Sequence, residues 1–172
     1  MLQYTTLVKK FGKKKTAVSG LLIGCIANIL NFVITTNIYT FIILVTIGYV
    51  ALAIPNGITW AFVSDVIDYG EWHNGIRKEG ITYAAFNFSR KIAQAIAAIV
   101  SSGILVLTGY VANIAQSEET LTGIKAAMTL YPGVALGIAA IIIGVFYGLS
   151  DDNYKKIADD LSNNIWEDGQ IK

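Results

Sequence analysis

Residues 65–83 read Asp-Val-Ile-Asp-Tyr-Gly-Glu-Trp-His-Asn-Gly-Ile-Arg-Lys-Glu-Gly-Ile-Thr-Tyr, a stretch in which acidic and basic side chains crowd together. Long apolar segments flank this stretch on both sides, and the one that follows it carries Arg90 and Lys91 well inside. Because apolar segments of helical length span bilayers, a charged stretch between two of them predicts a connection at a membrane surface. The two internal cations need a separate explanation, since charge inside a bilayer is costly.

The composition argues against an ordinary soluble domain. Of the 172 residues, 54% are apolar and 15% are charged, whereas roughly 25% of the residues in soluble chains are charged. The apolar residues come in long blocks, which is typical of a membrane protein. The formal net charge is +1, so nothing indicates a nucleic-acid partner. Cys25 is the single cysteine, which excludes an internal disulfide, and it is expected to be a small buried side chain.

Four apolar segments are each long enough for a membrane-spanning helix, which needs about 20 residues. They cover residues 16–36, 39–63, 81–108 and 123–149. The segments are continuous rather than alternating, which argues against the strands of a membrane barrel. The predicted fold class is an all-α membrane protein with four transmembrane helices within residues 16–149.

The distribution of Lys and Arg predicts how the helices are oriented. All of these cations except Arg90, Lys91 and Lys125 fall on one side of the predicted membrane. They are Lys9, Lys10, Lys13, Lys14, Lys15, Arg77, Lys78, Lys155, Lys156 and Lys172. Because cations accumulate in cytoplasmic connections, both termini are predicted to be cytoplasmic. Residues 1–15 then form a cytoplasmic basic connection, and residues 150–172 form a cytoplasmic tail.

The tail is predicted to be an amphipathic helix. Ser150 can cap its start, and apolar residues recur at spacings of three and four. They are Tyr154, Ile157, Leu161 and Ile165. Such a helix lies either on the membrane surface or against the inner ends of the spans.

Small residues predict where the spans approach each other closely. Glycines four residues apart occur as Gly20 and Gly24, Gly133 and Gly137, and Gly144 and Gly148. This spacing lets helix backbones come together in lipid. Pro55 with Gly57 predicts a kink in the second helix, which is either a hinge or a static bend.

The third apolar segment carries a polar stripe along one side of its predicted helix. Its members are Tyr83, Asn87, Arg90, Lys91, Gln94 and Ser101. At 1.5 Å per residue Lys91 lies about 15 Å deep, where a lipid-facing lysine costs on the order of 3 kcal/mol. The stripe must therefore face protein or water, and no acid of this chain is expected at matching depth. Two interpretations stay open: the wall of an aqueous path for a polar solute, and a buried ion pair that orders the bundle.

A second group of charges is expected at the inner ends of the helices. It consists of Asp65, Asp68 and Glu71, followed by Arg77 and Glu79. The three acids share one helix face if the second helix continues inward, because they are spaced by three residues. Ion pairs that latch the inner ends fit this pattern, and Arg90 is expected to pair with Asp65. A solvated charged turn is the alternative interpretation.

Catalytic and metal-binding roles are not favoured by the sequence. Neighbouring carboxylates can serve as general acid and base or as metal ligands. However, no His, Cys and Ser set falls at one depth, and His73 is the only histidine. No catalytic residue, metal site or resident cofactor is predicted. Trp60 is either an interfacial anchor, the commoner role, or a face on which a sugar ring stacks.

Three motifs make the central region resemble a known family. They are Ser64-Asp-Val-Ile-Asp-Tyr-Gly-Glu-Trp, Gly75-Ile-Arg-Lys-Glu-Gly-Ile-Thr-Tyr and Phe88-Ser-Arg-Lys-Ile-Ala-Gln-Ala. Together they resemble the signature of the glycoside–pentoside–hexuronide cation symporters, which belong to the major facilitator superfamily. Leu7-Val-Lys-Lys-Phe-Gly-Lys-Lys and Gly109-Tyr-Val-Ala-Asn extend the resemblance over nearly the whole chain.

The resemblance implies a partial major-facilitator C-terminal half, whose four spans correspond to the ninth to twelfth of twelve helices. It places Lys91 in the central cavity near the sugar and cation sites, and the stripe residues Tyr83, Asn87 and Gln94 are expected to line the same cavity. It associates the loop that holds Asp65, Asp68, Arg77 and Glu79 with inner gating. The coupling cation, Na⁺ or H⁺, is expected to bind acids of the first half, which this chain lacks.

The expected function is therefore part of a secondary active transporter that performs sugar:cation symport across the plasma membrane, incomplete and inactive alone. The expected partners are a sugar or glycoside solute, the lipid bilayer and a missing N-terminal portion of the transporter. The alternative is a small four-span membrane interaction or scaffold protein without transport activity. That alternative predicts that Lys91 is dispensable while the paired glycines matter.

Overall fold

The structure is a computed structural model that describes residue 8, residues 10–34 and residues 37–167. Its helices are α1 (Lys13–Ile34), α2 (Ile38–Asn74), α3 (Glu79–Leu107), α4 (Glu118–Lys125), α5 (Tyr131–Phe146) and α6 (Asp151–Ser162). A π-helical turn, Ala126–Leu130, joins α4 to α5 without a break. The expected outer end of the first span at residue 36, and the cations Lys9 and Lys172, lie outside the described residues.

The predicted fold class is confirmed. Within the described residues, four helices are long and apolar enough to cross a membrane, and they cover Lys13–Ile34, Ile38–Asn74, Glu79–Leu107 and Glu118–Phe146. The fourth begins five residues earlier than predicted because Ser117 caps it, accepting a hydrogen bond from the Thr120 backbone N–H at 3.2 Å. The cytoplasmic placement of the termini stays a prediction.

α2 is much longer than the predicted second span. It continues past residue 63 to Asn74 and has 37 residues, or about 55 Å at 1.5 Å per residue, against a hydrocarbon core of about 30 Å. The helix ends where Gly75 adopts a left-handed conformation, φ 68°, and donates its N–H to the Glu71 carbonyl at 2.7 Å. Nothing before Gly75 interrupts the helix, so the first acids of the charged stretch lie on its last turns.

α1 is the central helix, and its glycines let both neighbours approach. A Cβ added at Gly20 would lie 2.9 Å from the Ala51 carbonyl oxygen and from the Pro55 ring of α2. A Cβ at Gly24 would lie 3.1 Å from Leu136 of α5. A Cβ at Gly20 would press on backbone and one at Gly24 would displace a leucine side chain, so the close helix approach predicted for this glycine pair is confirmed.

The second glycine pair faces α1 from the other side. Added Cβ atoms at Gly133 and Gly137 would meet Asn28 and the Cys25 sulfur, each at 3.1 Å. The third pair, Gly144 and Gly148, does not bring helices together. A Cβ added at Gly148 would have nothing within 4 Å, and one at Gly144 would make only an ordinary contact with Val18. The helix α2 stays continuous through Pro55, and the kink expected there stays a prediction.

α3 stands apart from this packed group. None of its residues is buried, whereas α1, α2 and α5 each bury small or branched side chains such as Ala17, Ala51 and Ala140. α3 meets α2 and α4 over only a few residues. A membrane-length helix with both polar and apolar sides uncovered is therefore the most unusual feature of the fold.

The tail forms the amphipathic helix α6, which begins after Ser150. The Ser150 hydroxyl accepts the Asn153 backbone N–H at 3.2 Å, which caps the helix. Ile157 is 4% exposed, and α6 packs against α2. Of the two placements that the sequence left open, the structure has the one against the inner ends of the spans.

Candidate functional site

The polar stripe of α3 is exposed along the middle of the helix. Lys91 lies twelve residues after Glu79, the first residue of α3, which is about 18 Å along the axis. Its side chain is exposed, and no described residue forms an ion pair or a hydrogen bond with it. The interpretation of Lys91 as half of a buried ion pair therefore finds no partner within the described part of this chain.

The other stripe residues do not close a cavity by themselves. The Asn87 side-chain amide donates to the Tyr83 carbonyl of its own helix at 3.0 Å, which leaves the amide oxygen available. The Tyr83 ring lies beside Trp60 of α2, with centroids 6.3 Å apart. Gln94 is exposed. The described residues thus provide one wall of polar groups rather than an enclosed pocket.

Arg90 lies over aromatic rings and not against an acid. Its guanidinium carbon is 5.6 Å from the Trp60 ring centroid and 5.7 Å from that of Phe86. These two rings meet edge to face at 5.3 Å. Cations are attracted to the electron-rich faces of aromatic rings, and tryptophan is the strongest partner.

The expected ion pair between Arg90 and Asp65 is wrong. Residues five apart on a helix differ in direction by about 140°, so Trp60 can face α3 while Asp65 faces α1. Asp65 is 3% exposed, and its two carboxylate oxygens accept hydrogen bonds from Lys13 Nζ at 2.7 and 2.8 Å. The sequence did not predict Lys13 as the partner of Asp65. Lys13, Lys14 and Lys15 are consecutive, and nothing in the pattern distinguishes one from the others.

This buried pair is the centre of a network at the end of the molecule where α1 and α3 begin and α2 ends. The Tyr147 hydroxyl donates to Asp65 at 3.4 Å, and the Lys13 ammonium lies 4.0 Å from the Tyr154 ring centroid. The backbone N–H of Lys13, in the first turn of α1, donates to the Asp151 carboxylate at 3.1 Å. An acid at a helix start is favourable because unpaired N–H groups point toward it.

Arg77 forms hydrogen bonds with the other acids of the charged stretch. One terminal nitrogen donates to Asp68 at 2.9 Å and to Glu71 at 2.7 Å, and Nε donates to Glu79 at 3.2 Å. Hydrogen bonds to Glu71 and Asp68 raise the pKa of Arg77 further above its ordinary value, so the guanidinium is charged at every physiological pH. The structure thus brings Asp68, Arg77 and Glu79 together and adds Glu71, while their role as an inner gate stays a prediction.

The tail joins the same network through hydrogen bonds that the sequence did not predict. The Tyr154 hydroxyl donates to Asp68 at 2.9 Å, and Trp72 Nε1 donates to Asp160 at 3.2 Å. Burial and the hydrogen bond to Asp68 raise the pKa of Tyr154 to about 12. His73 contacts Glu167. α6 therefore fastens the end of α2, the start of α1 and, through Arg77, the start of α3.

The arrangement suits reversible ion pairing better than bond-making chemistry. Within the described ranges, no group of three or more His, Cys, Asp or Glu side chains is placed to hold a metal ion. The acids near Arg77 are already occupied by hydrogen bonds from Arg77 and Tyr154. Ion pairs at helix ends can form in one conformation and break in another, which is how such groups favour one state.

Comparison with known proteins gives consistent relatives. The family model described as MFS/sugar transport protein matches residues 1–151. The uncharacterised symporter YjmB of Bacillus subtilis is 50% identical over 155 residues, which are 90% of this chain and 34% of that protein. A putative sulfoquinovose importer of Salmonella typhimurium is 39% identical over 165 residues, 95% of this chain and 35% of the importer.

A third relative is the glucuronide carrier protein homolog of Escherichia coli, which is 34% identical over 158 residues, 91% of this chain and 34% of the carrier. No solved structure matches the chain. The chain spans about a third of the length of the curated relatives that it matches. The family resemblance seen in the three motifs is confirmed, and the protein is a multi-pass membrane protein. Because the family model covers residues 1–151 and relatives match nearly the whole chain, this chain belongs to the MFS/sugar transport protein family.

Proposed function

We propose that this chain is one part of a secondary active transporter that carries a sugar or glycoside together with Na⁺ or H⁺, and that it does not transport alone. The names of its relatives support the first part, since they include a symporter, an importer and a carrier. Two observations support the claim that the chain does not transport alone. The chain matches about a third of each relative, and no residue of α3 is buried. The membrane concerned is the plasma membrane, with both chain termini on its cytoplasmic side.

The observation that carries the proposal is the exposed Lys91 near the middle of a membrane-length helix. A cation at this depth is stable only next to protein groups or water. Solutes of secondary transporters bind near the bilayer midplane, between the parts of the protein that move. α3 therefore contributes Tyr83, Asn87, Lys91 and Gln94 to the wall of the solute pathway, and the rest of the transporter supplies the opposite wall.

The inner network acts as the gate in this proposal. The pairs Lys13–Asp65 and Arg77–Asp68 join α2 to the start of α1 and to the turn between α2 and α3. Each pair stabilises the conformation in which its partners meet, so breaking the pairs is part of opening the inner side. Arg90 is not a member of this gate, since it lies on Trp60.

The coupling cation binds elsewhere in the complete transporter. Residues 16–64, 80–117 and 120–150 contain neither Asp nor Glu, so the membrane-embedded parts of this chain offer no carboxylate for Na⁺ or for a proton. Asp65, at the inner end of α2, is held by Lys13. The acids that bind the coupling ion therefore belong to the remaining two thirds of the transporter.

The scaffold alternative is not supported by the glycine contacts. It requires the paired glycines to be available for another protein, but Gly20, Gly24, Gly133 and Gly137 are used for contacts between α1, α2 and α5. The surface that remains for a partner includes α3, none of whose residues is buried, and the middle of α3 carries polar side chains beside small residues such as Ala93 and Ala97.

Uptake by membrane vesicles tests the proposal. One preparation holds this chain alone, and the other holds the chain joined to the preceding two thirds of the Bacillus subtilis symporter. We expect accumulation of labelled sugar only in the second preparation, and we expect Lys91→Ala to abolish most of it while Lys78→Ala, a change at an exposed lysine between α2 and α3, leaves it intact. Uptake by the chain alone would show that the chain is sufficient, and equal uptake by the Lys91→Ala variant would remove Lys91 from the pathway.

A further inference from the structure

Two ion pairs lie next to each other near the end of α2, and one residue of the tail touches both. Lys13 binds Asp65 at 2.7 Å, and Arg77 binds Asp68 at 2.9 Å. The Tyr154 ring of α6 has its centroid 4.0 Å from the Lys13 ammonium, and the Tyr154 hydroxyl donates to Asp68 at 2.9 Å. One side chain therefore contacts the cation of the first pair and the acid of the second.

The position of Tyr154 is fixed by the residues on either side of it in α6. Asp151, three residues earlier, accepts the backbone N–H of Lys13 at 3.1 Å. A Cβ added at Gly12, where φ is 85°, would overlap the Asp151 carboxylate, so the chain before α1 leaves room for the tail. Ile157, three residues later, is 4% exposed. Because residues three apart are neighbours on a helix, Tyr154 is held between two docked positions.

The two contacts of Tyr154 strengthen each other. Burial and the hydrogen bond to Asp68 raise the pKa of Tyr154 to about 12, so the hydroxyl is protonated at physiological pH and acts as a donor. A phenol that donates to a carboxylate gains electron density in its ring, and a more electron-rich ring attracts a cation more strongly. Groups connected in this way polarise one another. Losing the contact with Asp68 therefore weakens the contact with Lys13, and the reverse also holds.

We propose that Tyr154 is a positioning residue that couples the two ion pairs, so that with α6 docked the pairs form and break together. In the transporter this coupling makes the opening of the inner side a single step that the tail controls, and this consequence rests on the proposed function. The coupling itself is a property of this chain and is measured without transport.

The test is a cycle of variants, measured by thermal unfolding of the purified chain in detergent. Lys13→Met breaks one pair and Asp68→Asn breaks the other, and each is made alone and together, first with Tyr154 present and then with Tyr154→Leu. If the pairs are coupled, the first change already weakens the second pair, so the double variant loses less Tm than the sum of the single losses. We expect this shortfall to be larger with Tyr154 than with leucine by about 2 °C or more. Direct interaction between the charges is present in both series and does not contribute to the difference.

Tyr147 is the matched control. Its hydroxyl also donates to an acid of the network, Asp65, at 3.4 Å, which belongs to one pair. Tyr147→Phe should lower Tm slightly but leave the shortfall unchanged. If Tyr154→Leu does not fold, Tyr154→Phe, which loses the hydrogen bond to Asp68 and keeps the ring, provides the same comparison with a smaller difference.

Hydrogen–deuterium exchange, measured well below the melting temperature, separates coupling from a merely structural role. The amides of residues 13–16 lie at the start of α1 and exchange only when this turn opens. Asp68→Asn, a change in the other pair, should speed their exchange about 2-fold or more while Tyr154 is present. In the Tyr154→Leu chain the same change should have no further effect. A residue that only filled space would not transmit the effect of Asp68→Asn to α1.

The outcomes distinguish this inference from the function on which its consequence rests. Equal shortfalls with and without Tyr154, or exchange at residues 13–16 that does not respond to Asp68→Asn, would show that the pairs are independent and would overturn the inference, whatever the vesicles show for sugar uptake. If the coupling is found but the vesicles with the joined chain accumulate no sugar, the coupling of the pairs stands and the proposed function fails.

Discussion

The buried pair between Lys13 and Asp65 gives an asymmetric prediction about stability. Lys13→Met keeps the length of the side chain. Among the described residues, it leaves the Asp65 carboxylate, which is 3% exposed, with only the 3.4 Å hydrogen bond from Tyr147. Removing one partner of a buried ion pair costs about 3–5 kcal/mol. Asp65→Asn costs less, about 1–2 kcal/mol, because the Lys13 side chain is 22% exposed and keeps its position over the Tyr154 ring.

These losses of stability correspond to measurable decreases in the melting temperature, Tm. For chains of about 150–250 residues, 1 kcal/mol shifts Tm by roughly 2–4 °C, so Lys13→Met should lower Tm by about 6–20 °C and Asp65→Asn by about 2–8 °C. The assay is thermal unfolding of the purified chain in detergent, followed by circular dichroism. Lys15→Met is the matched control, because Lys15 lies in the same turn of α1 and is exposed.

The double variant Lys13→Met with Asp65→Leu completes the test. Replacing both charges with apolar groups removes the unpaired carboxylate, so the double variant should melt above Lys13→Met alone. Two results would refute the reasoning: equal melting temperatures for Lys13→Met and Lys15→Met, or a larger loss for Asp65→Asn than for Lys13→Met. Either result would mean that the Lys13–Asp65 contact does not stabilise the inner ends.

Three further predictions concern the tail and the helix contacts. Tyr154→Phe removes the 2.9 Å hydrogen bond to Asp68 but keeps the ring beside Lys13, so α6 should be cut faster in limited proteolysis, in line with a loss of about 1 kcal/mol. Burial and the hydrogen bond to Asp68 raise the pKa of Tyr154 from 10.0 to about 12, so the stabilisation by its hydroxyl is complete below pH 10 and is lost as the pH rises toward 12. In a titration followed by absorbance at 295 nm, Tyr154→Phe should remove a tyrosine that ionises near pH 12. Gly20→Val should push α1 away from α2 and lower Tm by several degrees, because even a Cβ at Gly20 would lie 2.9 Å from the Ala51 carbonyl oxygen. Gly148→Ala is the control and should leave Tm unchanged, because a Cβ at Gly148 would meet no atom within 4 Å.

The sequence was sufficient for the features that depend on local pattern. The four spans follow from the length of the apolar segments, and the close contacts of Gly20, Gly24, Gly133 and Gly137 follow from their spacing. The grouping of Asp68, Arg77 and Glu79 follows from their closeness along the chain. In each case the residues that matter are neighbours in sequence or repeat at the period of a helix.

The features that depend on distant partners were missed or wrong. Asp65 binds Lys13, 52 residues away, and Tyr154 binds Asp68, 86 residues away. Five lysines precede or begin α1, and no local rule says which of them reaches Asp65. Arg90 was assigned to Asp65 by charge alone, but the direction of each side chain around its own helix decides the contact, and Trp60 is the residue that faces Arg90.

The isolation of α3 has a consequence for how the protein is made. A helix enters the bilayer because it is apolar, and packing with other helices is a later and separate step. α1, α2 and α5 can complete that second step with each other through their glycine contacts. α3 has no buried residue with which to do so, so we expect its insertion to precede its packing, which would depend on helices outside this chain.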